Sequence, residues 1–377
     1  MSWNILAALP NIVVTDPIEG EQFSMIGSDD ARLSDNFALQ PNLKAFFRRF
    51  TNSHGVRITP AALVARSDTP AEFLNSEAVS GFRDAVAASI IPFARAAAIT
   101  HRNYSRPMYS DSFDLYPWMV DRNGEHLIAN TPAVSALHQI KGFRGLSSPG
   151  LSVVQIRDWD IDEALLKVLL DWWRKRFSGG TPHWEQLALF RSLNAANAAM
   201  QMPQSAGATI YDWGRSLSLW ISAFEILVHP GPGGEANRAK VFALIERGEW
   251  EREAVREKVH DVRLSKKSVV RKAFPSYLYA LAYQARNNFL HGEPVGREHL
   301  VLPSGQPVGF LVSALYRNAI ATFVDLTATV SIDGKASVGA IAQAISEMSD
   351  RRRVPRTVED AFIKAMAPKP ETEDDDE

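Results

Sequence analysis

The chain has 377 residues, 46% hydrophobic and 22% charged, enough for about two domains of ordinary globular composition. Its formal net charge of −2 excludes a global basic field for nucleic acid, so any RNA contact has to come from a local patch. With no cysteine, disulfides, thiolate catalysis and cysteine-ligated zinc are excluded as well.

The first residues, Met1 to Leu6, carry no basic segment and lead into no long apolar run, which predicts no secretory leader. No stretch of about 18 apolar residues occurs, so no membrane span is expected and the protein is read as soluble and cytoplasmic. Residues 1–155 read as an α+β region of irregular texture. Ile12-Val13-Val14-Thr15 is a short β-branched run. Residues 73–99 are alanine-rich with apolar residues at helical spacing, interrupted by Pro92. Apolar residues in 116–120 and 126–128 flank Asn123-Gly124, a strong hairpin signal because both turn positions need positive φ.

From about residue 160 the pattern changes to long helices. Ile161, Leu165, Leu169, Trp172 and Trp173 recur at spacings of three and four over 161–177, and Ser178-Gly179-Gly180 stops them. Thr181-Pro182 predicts a new start, with Thr181 as N-cap and Pro182 at the first helical position, running to about residue 202. Further helices are expected at 210–228, ended by His229-Pro230-Gly231, and at 237–246. A charged helix is expected at 250–264, another at 275–291 ended by Gly292 and Pro294, and a last long apolar one at 310–330. Residues 160–335 therefore read as an all-α up-down helical bundle. Within 336–377, short helices at 338–348 and 357–366 precede an acidic tail, Glu371 to Glu377, expected to be disordered.

The chemistry concentrates in Arg286-Asn287-Asn288-Phe289-Leu290-His291. Arg286 and His291 are five residues apart and project roughly 140° from one another on a regular helix. His291, however, falls in the last turn before Gly292, where the chain can unwind. Asn287 and His291 are four apart and share a face, so Asn287 is placed to hold the imidazole or to contact a phosphate. A helix C-terminus favours an imidazolium by about 0.3–1 kcal/mol, which suits a group that donates or accepts a proton near neutral pH. An arginine clamps phosphate with forked, charge-assisted hydrogen bonds. RNA brings its own nucleophile, the 2′-OH, so cleavage needs a base, an acid and positive charge on the phosphate, and no metal.

An arginine, a polar residue, three more residues and then His-Gly, near the end of a helix in a C-terminal all-α bundle, resembles HEPN domains, most closely their Apea-like branch. Residues 217–227, which place Glu225 among apolar residues, are similar to that branch's preceding helix. The resemblance spans about residues 180–330. It implies a homodimer in which the arginine and histidine of two chains meet in one cleft. It also implies metal-independent endoribonuclease activity that leaves a 2′,3′-cyclic phosphate and a 5′-OH. By carry-over Arg286 stabilises the phosphate, Asn287 supports it, His291 transfers protons and Glu225 orients Arg286. A buried acid paired with a structural arginine is the other reading of Glu225. Toxin–antitoxin and antiviral roles are common in the family, which makes an antitoxin or trigger protein an expected partner beside RNA. No cofactor and no metal is predicted.

Other candidates carry less. Gly231-Pro232-Gly233-Gly234 lacks the Gly-Lys-Ser/Thr ending of a phosphate loop and follows a helix rather than a strand. Arg263, Lys266, Lys267, Arg271 and Lys272 form one basic run and Arg351-Arg352-Arg353 another; each is a candidate track for an RNA backbone or a solvated linker. His101, His126 and His138 lack metal spacing, and no Gly-x-Ser-x-Gly elbow occurs. Two rival readings stay open: a HEPN-like bundle that dimerises and binds RNA or nucleotides without cutting, and an N-terminal region that is itself the effector.

Overall fold

The computed structural model describes residues 2–101, 107–116, 118–147, 151–203, 207–265, 267–327 and 351–368. The expected helix at 338–348, the acidic tail and Lys266 lie outside them. The fold is mixed α+β. In chain order the N-terminal half contributes β1 (Trp3–Leu9), β2 (Ile12–Val14), β3 (Ile18–Glu19), β4 (Phe23–Ile26), α1 (Ala31–Leu39), α2 (Pro41–Phe47), β5 (Ala61–Arg66) and α3 (Ser76–Thr100), followed by β6 (Met119–Val120), β7 (His126–Asn130), β8 (Ser135–Gln139) and β9 (Val154–Ile156). The C-terminal half contributes α4 (Glu163–Phe177), α5 (Trp184–Ala199), α6 (Ile210–Val228), α7 (Arg238–Glu246), α8 (Glu253–Glu257), β10 (Val259–Ser265), β11 (Ser268–Ala273), α9 (Phe274–His291), α10 (Val308–Thr327) and α11 (Arg356–Met366). Among the described residues no helix is long and apolar enough to cross a membrane.

A four-stranded antiparallel sheet, in the order β1-β5-β4-β3, forms the middle layer of the N-terminal half. Its side chains alternate with period two. Ala61, Leu63 and Ala65 of β5 face a large core shared with the long helices, while Ala62 and Val64 face a smaller core with Leu33, Phe46, Phe47 and Phe50 from α1, α2 and the segment after them. The expected hairpin forms: β6 pairs with β7, but only Gly124 takes positive φ, 65°, in the connection, and Asn123 does not. β8 extends it to three strands, which the sequence reading did not anticipate. Ile12–Val14 is a strand as expected, paired in parallel with β9.

The alanine-rich helix α3 runs unbroken through Pro92 and is buried along most of its length. A helix apolar on all sides belongs inside a core, and α3 packs against α4, α5, α10 and α11. That packing offsets the roughly 3 kcal/mol an interior proline costs a helix. In the turn before Pro92 the Ser89 carbonyl accepts from the Asp162 N–H at 2.9 Å, which joins α3 to the start of α4. The hydrophobic core thus crosses the expected boundary at residues 155–160: one cluster contains Phe23, Phe82, Trp173, Trp220 and Phe362.

Two of the expected helices also need correction. The charged helix predicted at 250–264 is only the short α8 followed by the hairpin β10–β11. There His260, Val262 and Leu264 point inward while Val259, Asp261 and Arg263 are exposed, a strand alternation. The helix after Ser178 starts two residues beyond Pro182, because the Gln186 side chain takes the His183 N–H at 2.9 Å and makes His183 the N-cap in place of Thr181.

Asp114 lies beside the buried Asp84 and Asp111, and its pKa is pushed up to about 6, first by burial and then by the neighbouring Asp111 carboxylate. The folded state therefore prefers the neutral acid. That stability is complete below the ordinary carboxylate range and is lost as the pH rises through about 6. Asp114→Asn is expected to stabilise the protein by on the order of 2 kcal/mol at pH 7 and by almost nothing at pH 4. Urea denaturation at the two pH values checks this, and an equal gain at both would refute it.

Candidate functional site

Two helices build the site. α6 starts at a reciprocal cap: Thr209 Oγ1 accepts from the Tyr211 N–H, and the Asp212 carboxylate accepts from the Thr209 N–H at 2.6 Å. It carries Glu225 near its far end. α9 begins with Pro275 in its first turn and ends at Gly292, whose φ of 71° lets its own N–H and that of Glu293 both reach the Asn288 carbonyl. The αL residue demanded by this ending is why glycine follows His291.

Along α9, Tyr279, Tyr283, Arg286 and Leu290 follow one another at spacings of four, three and four, so they form one stripe. Arg286 is half-buried. Its Nη1 donates to Asn287 Oδ1 at 2.9 Å, and its guanidinium carbon lies 5.8 Å from the centroid of the Tyr283 ring. Its Nε is buried with no hydrogen-bond partner among the described residues. Glu225, half-buried on α6, has its pKa raised by burial, and the charge of Arg286 pulls against that rise. A third helix enters here. Arg238, the first residue of α7, places its guanidinium carbon 4.8 Å from the same Tyr283 ring and donates to the Leu264 carbonyl of the β10–β11 hairpin. The hydroxyl of Tyr279 sits beneath them, fully buried and without a hydrogen-bond partner. Burial pushes its pKa up; the carboxylate of Glu225 and the Tyr283 hydroxyl add to the rise, while Arg238 and Arg286 oppose it.

The structure thus brings Glu225, Arg286 and Asn287 together and leaves His291 exposed at the end of the helix. No hydrogen bond or ion pair joins His291 to the other three among the described residues. The geometric link is Asn287, bonded to Arg286 on one side and sharing a helical face with His291 on the other. Arg238, Tyr279 and Tyr283 were missed by the sequence reading. The Tyr279–Tyr283–Arg286 spacing was visible, whereas Arg238 is brought in by the fold.

The two basic runs fare differently. Lys267 is exposed at the hairpin turn, and exposed Arg263 and Arg271 face Val269 and Asp261 across the ladder. Lys272 is held by Glu246 at 2.7 Å and lies over the Phe242 ring. Arg351, Arg352 and Arg353 are engaged with Asp325, Glu249 and Glu251, so this triplet ties the C-terminal segment to the helices.

Chemically, the site offers forked donors for an anionic oxygen, a half-buried carboxyl group whose pKa burial raises, and an exposed imidazole one helical turn from Asn287. No family model, curated protein or solved structure matches the chain.

Proposed function

We propose that the protein is a metal-independent endoribonuclease of the HEPN type, with α5 to α10 as its up-down bundle. The observation that carries the reading is the half-buried Arg286, set between Glu225 and Asn287, five residues ahead of an exposed histidine at a glycine-capped helix end. Arg286 neutralises the scissile phosphate, Asn287 holds its guanidinium, and Glu225 acts on it through its charge. An imidazole of His291 takes the 2′-OH proton as O2′ bonds to phosphorus. The P–O5′ bond breaks, and the leaving 5′-oxygen receives a proton, giving a 2′,3′-cyclic phosphate and a 5′-OH.

The reaction needs both an acid and a base, and the cluster of each chain offers one exposed imidazole. A second copy supplies the other. The surface beside His291 supports this pairing. Leu290 is 57% exposed and Tyr211 74%, with Ile210 and Trp213 next to them on α6, and Phe289 packs between Tyr211 and the open face of Gly214. Apolar side chains gathered in this way at the surface mark an interaction site.

The reading is tested with purified protein, mixed RNA and EDTA, comparing wild type with His291→Ala and reading both the product ends and the sedimentation coefficient. The expected result is a dimer whose products end in 2′,3′-cyclic phosphate, with cleavage lowered by about 100-fold or more in the variant. Uncut RNA with wild type, equal cutting by the variant or a monomeric enzyme would each defeat it.

A further inference from the structure

We infer that Arg238 and Arg286, both lodged against the ring of Tyr283, form a two-guanidinium site for a backbone phosphate within a single chain, and that the β10–β11 hairpin extends it along a polyanion. The inference rests on the ribonuclease reading only for the identity of the polyanion as RNA.

Three observations carry it. First, the guanidinium carbons of Arg238 and Arg286 lie 4.8 Å and 5.8 Å from one ring centroid, so two cations from different helices share one aromatic platform. Second, neither arginine forms an ion pair among the described residues. Burial raises the pKa of Glu225, the carboxyl group beside Arg286, and no hydrogen bond or ion pair joins it to either guanidinium among the described residues. Third, the fork of Arg286 is only partly used: Nη1 donates to Asn287, while Nη2 bonds nothing among the described residues. An unused guanidinium edge is matched by a ligand rich in acceptor oxygens. Phosphate combines that property with negative charge and matches the arginine fork.

Arg238 also fixes the direction of the ligand. Its bond to the Leu264 carbonyl ties the hairpin to the site, and Arg263 and Lys267 are exposed on that hairpin. A strand whose scissile phosphate sits on Arg286 and Arg238 therefore meets further positive charge on the hairpin side. A chain of several phosphates fits this better than a mononucleotide.

The probe is a short 2′-O-methyl oligoribonucleotide, which lacks the nucleophile and is not cut. Its affinity is measured over a range of salt for wild type, Arg238→Gln, Arg286→Gln and, as a control in the N-terminal half, Arg48→Gln just after α2. Arg238→Gln and Arg286→Gln are each expected to weaken binding about tenfold and to flatten the slope of log affinity against log salt by about 0.7, the value for one phosphate contact on a single strand. The control keeps the wild-type slope. Because Arg238→Gln also releases the Leu264 carbonyl, Arg286→Gln, which leaves the hairpin untouched, has to show the same change. An Arg238 variant with wild-type affinity and slope overturns the site. So does a wild type that does not bind the probe. If both arginines matter for binding while unmodified RNA stays intact, the phosphate site stands and the ribonuclease reading falls. If RNA is cut and Arg238→Gln keeps the wild-type slope, the reverse holds.

Discussion

Arg286→Ala is expected to lower RNA cleavage by about 100- to 1000-fold, the usual loss when a donor aimed at developing negative charge is removed. The effect is large because Arg286 is held by Asn287 Oδ1 at 2.9 Å and lies against the Tyr283 ring. A preorganised guanidinium spends little ordering entropy when phosphate arrives. Arg286→Lys restores the charge without the fork, and a partial rescue is expected. The same substitution has a second, independent readout. The charge of Arg286 is what opposes the burial of Glu225. In Arg286→Ala burial acts alone, so the pKa of Glu225 moves further up, which carbon-detected NMR titration of that carboxyl measures. Cleavage within about threefold of wild type would place the chemistry elsewhere.

Trp173→Ala is expected to cost the fold about 4 kcal/mol, near the top of the range for a buried aromatic. Trp173 is 1% exposed. Its ring meets those of Phe23 from β4, Phe73, Phe82 from α3 and Phe177 from its own helix, and its Nε1 donates to the Ala78 carbonyl at 2.7 Å. The alanine therefore opens a void where the sheet, α3 and α4 converge. Trp173→Phe keeps most of the apolar contact and loses the hydrogen bond, for a cost of about 1–2 kcal/mol. The urea midpoint of each variant gives the comparison. A midpoint for the alanine variant equal to that of wild type would mean that this cluster does not hold the two halves together.

The sequence was most legible where local signals agreed. α6 occupies 210–228 as expected, because Thr209 and Asp212 form a cap in front of an apolar helical repeat and His229-Pro230-Gly231 stops it. The end of α9 at Gly292 and the turn at Asn123-Gly124 were read in the same way. The β10–β11 hairpin was not, although Val262 and Leu264 alternate with Asp261 and Arg263. The sequence between Arg263 and Val269 contains no glycine or asparagine, and its charge density imitates a solvated helix. Pro92 signalled a break that does not occur, because packing around α3 outweighs the local penalty. Of the site, Arg286 and His291 were legible as a motif, and Glu225 as an acid in an apolar helix. Arg238 was not: it is 48 residues before Arg286 in the chain, and only the folding of α7 against α9 places both guanidiniums on Tyr283.

α3 has a consequence for how the chain is made. It is the central helix of the large core, yet it is complete at Thr100, while two of its covers, α10 and α11, begin at Val308 and Arg356. At a synthesis rate of about 5–20 residues per second, roughly 200 residues separate the helix from the first of these covers, a wait of about 10–40 s. Through that interval a 25-residue helix whose faces are mostly apolar has no complete place to go. A stop codon anywhere before α10 therefore leaves a product with an uncovered core rather than a smaller working protein.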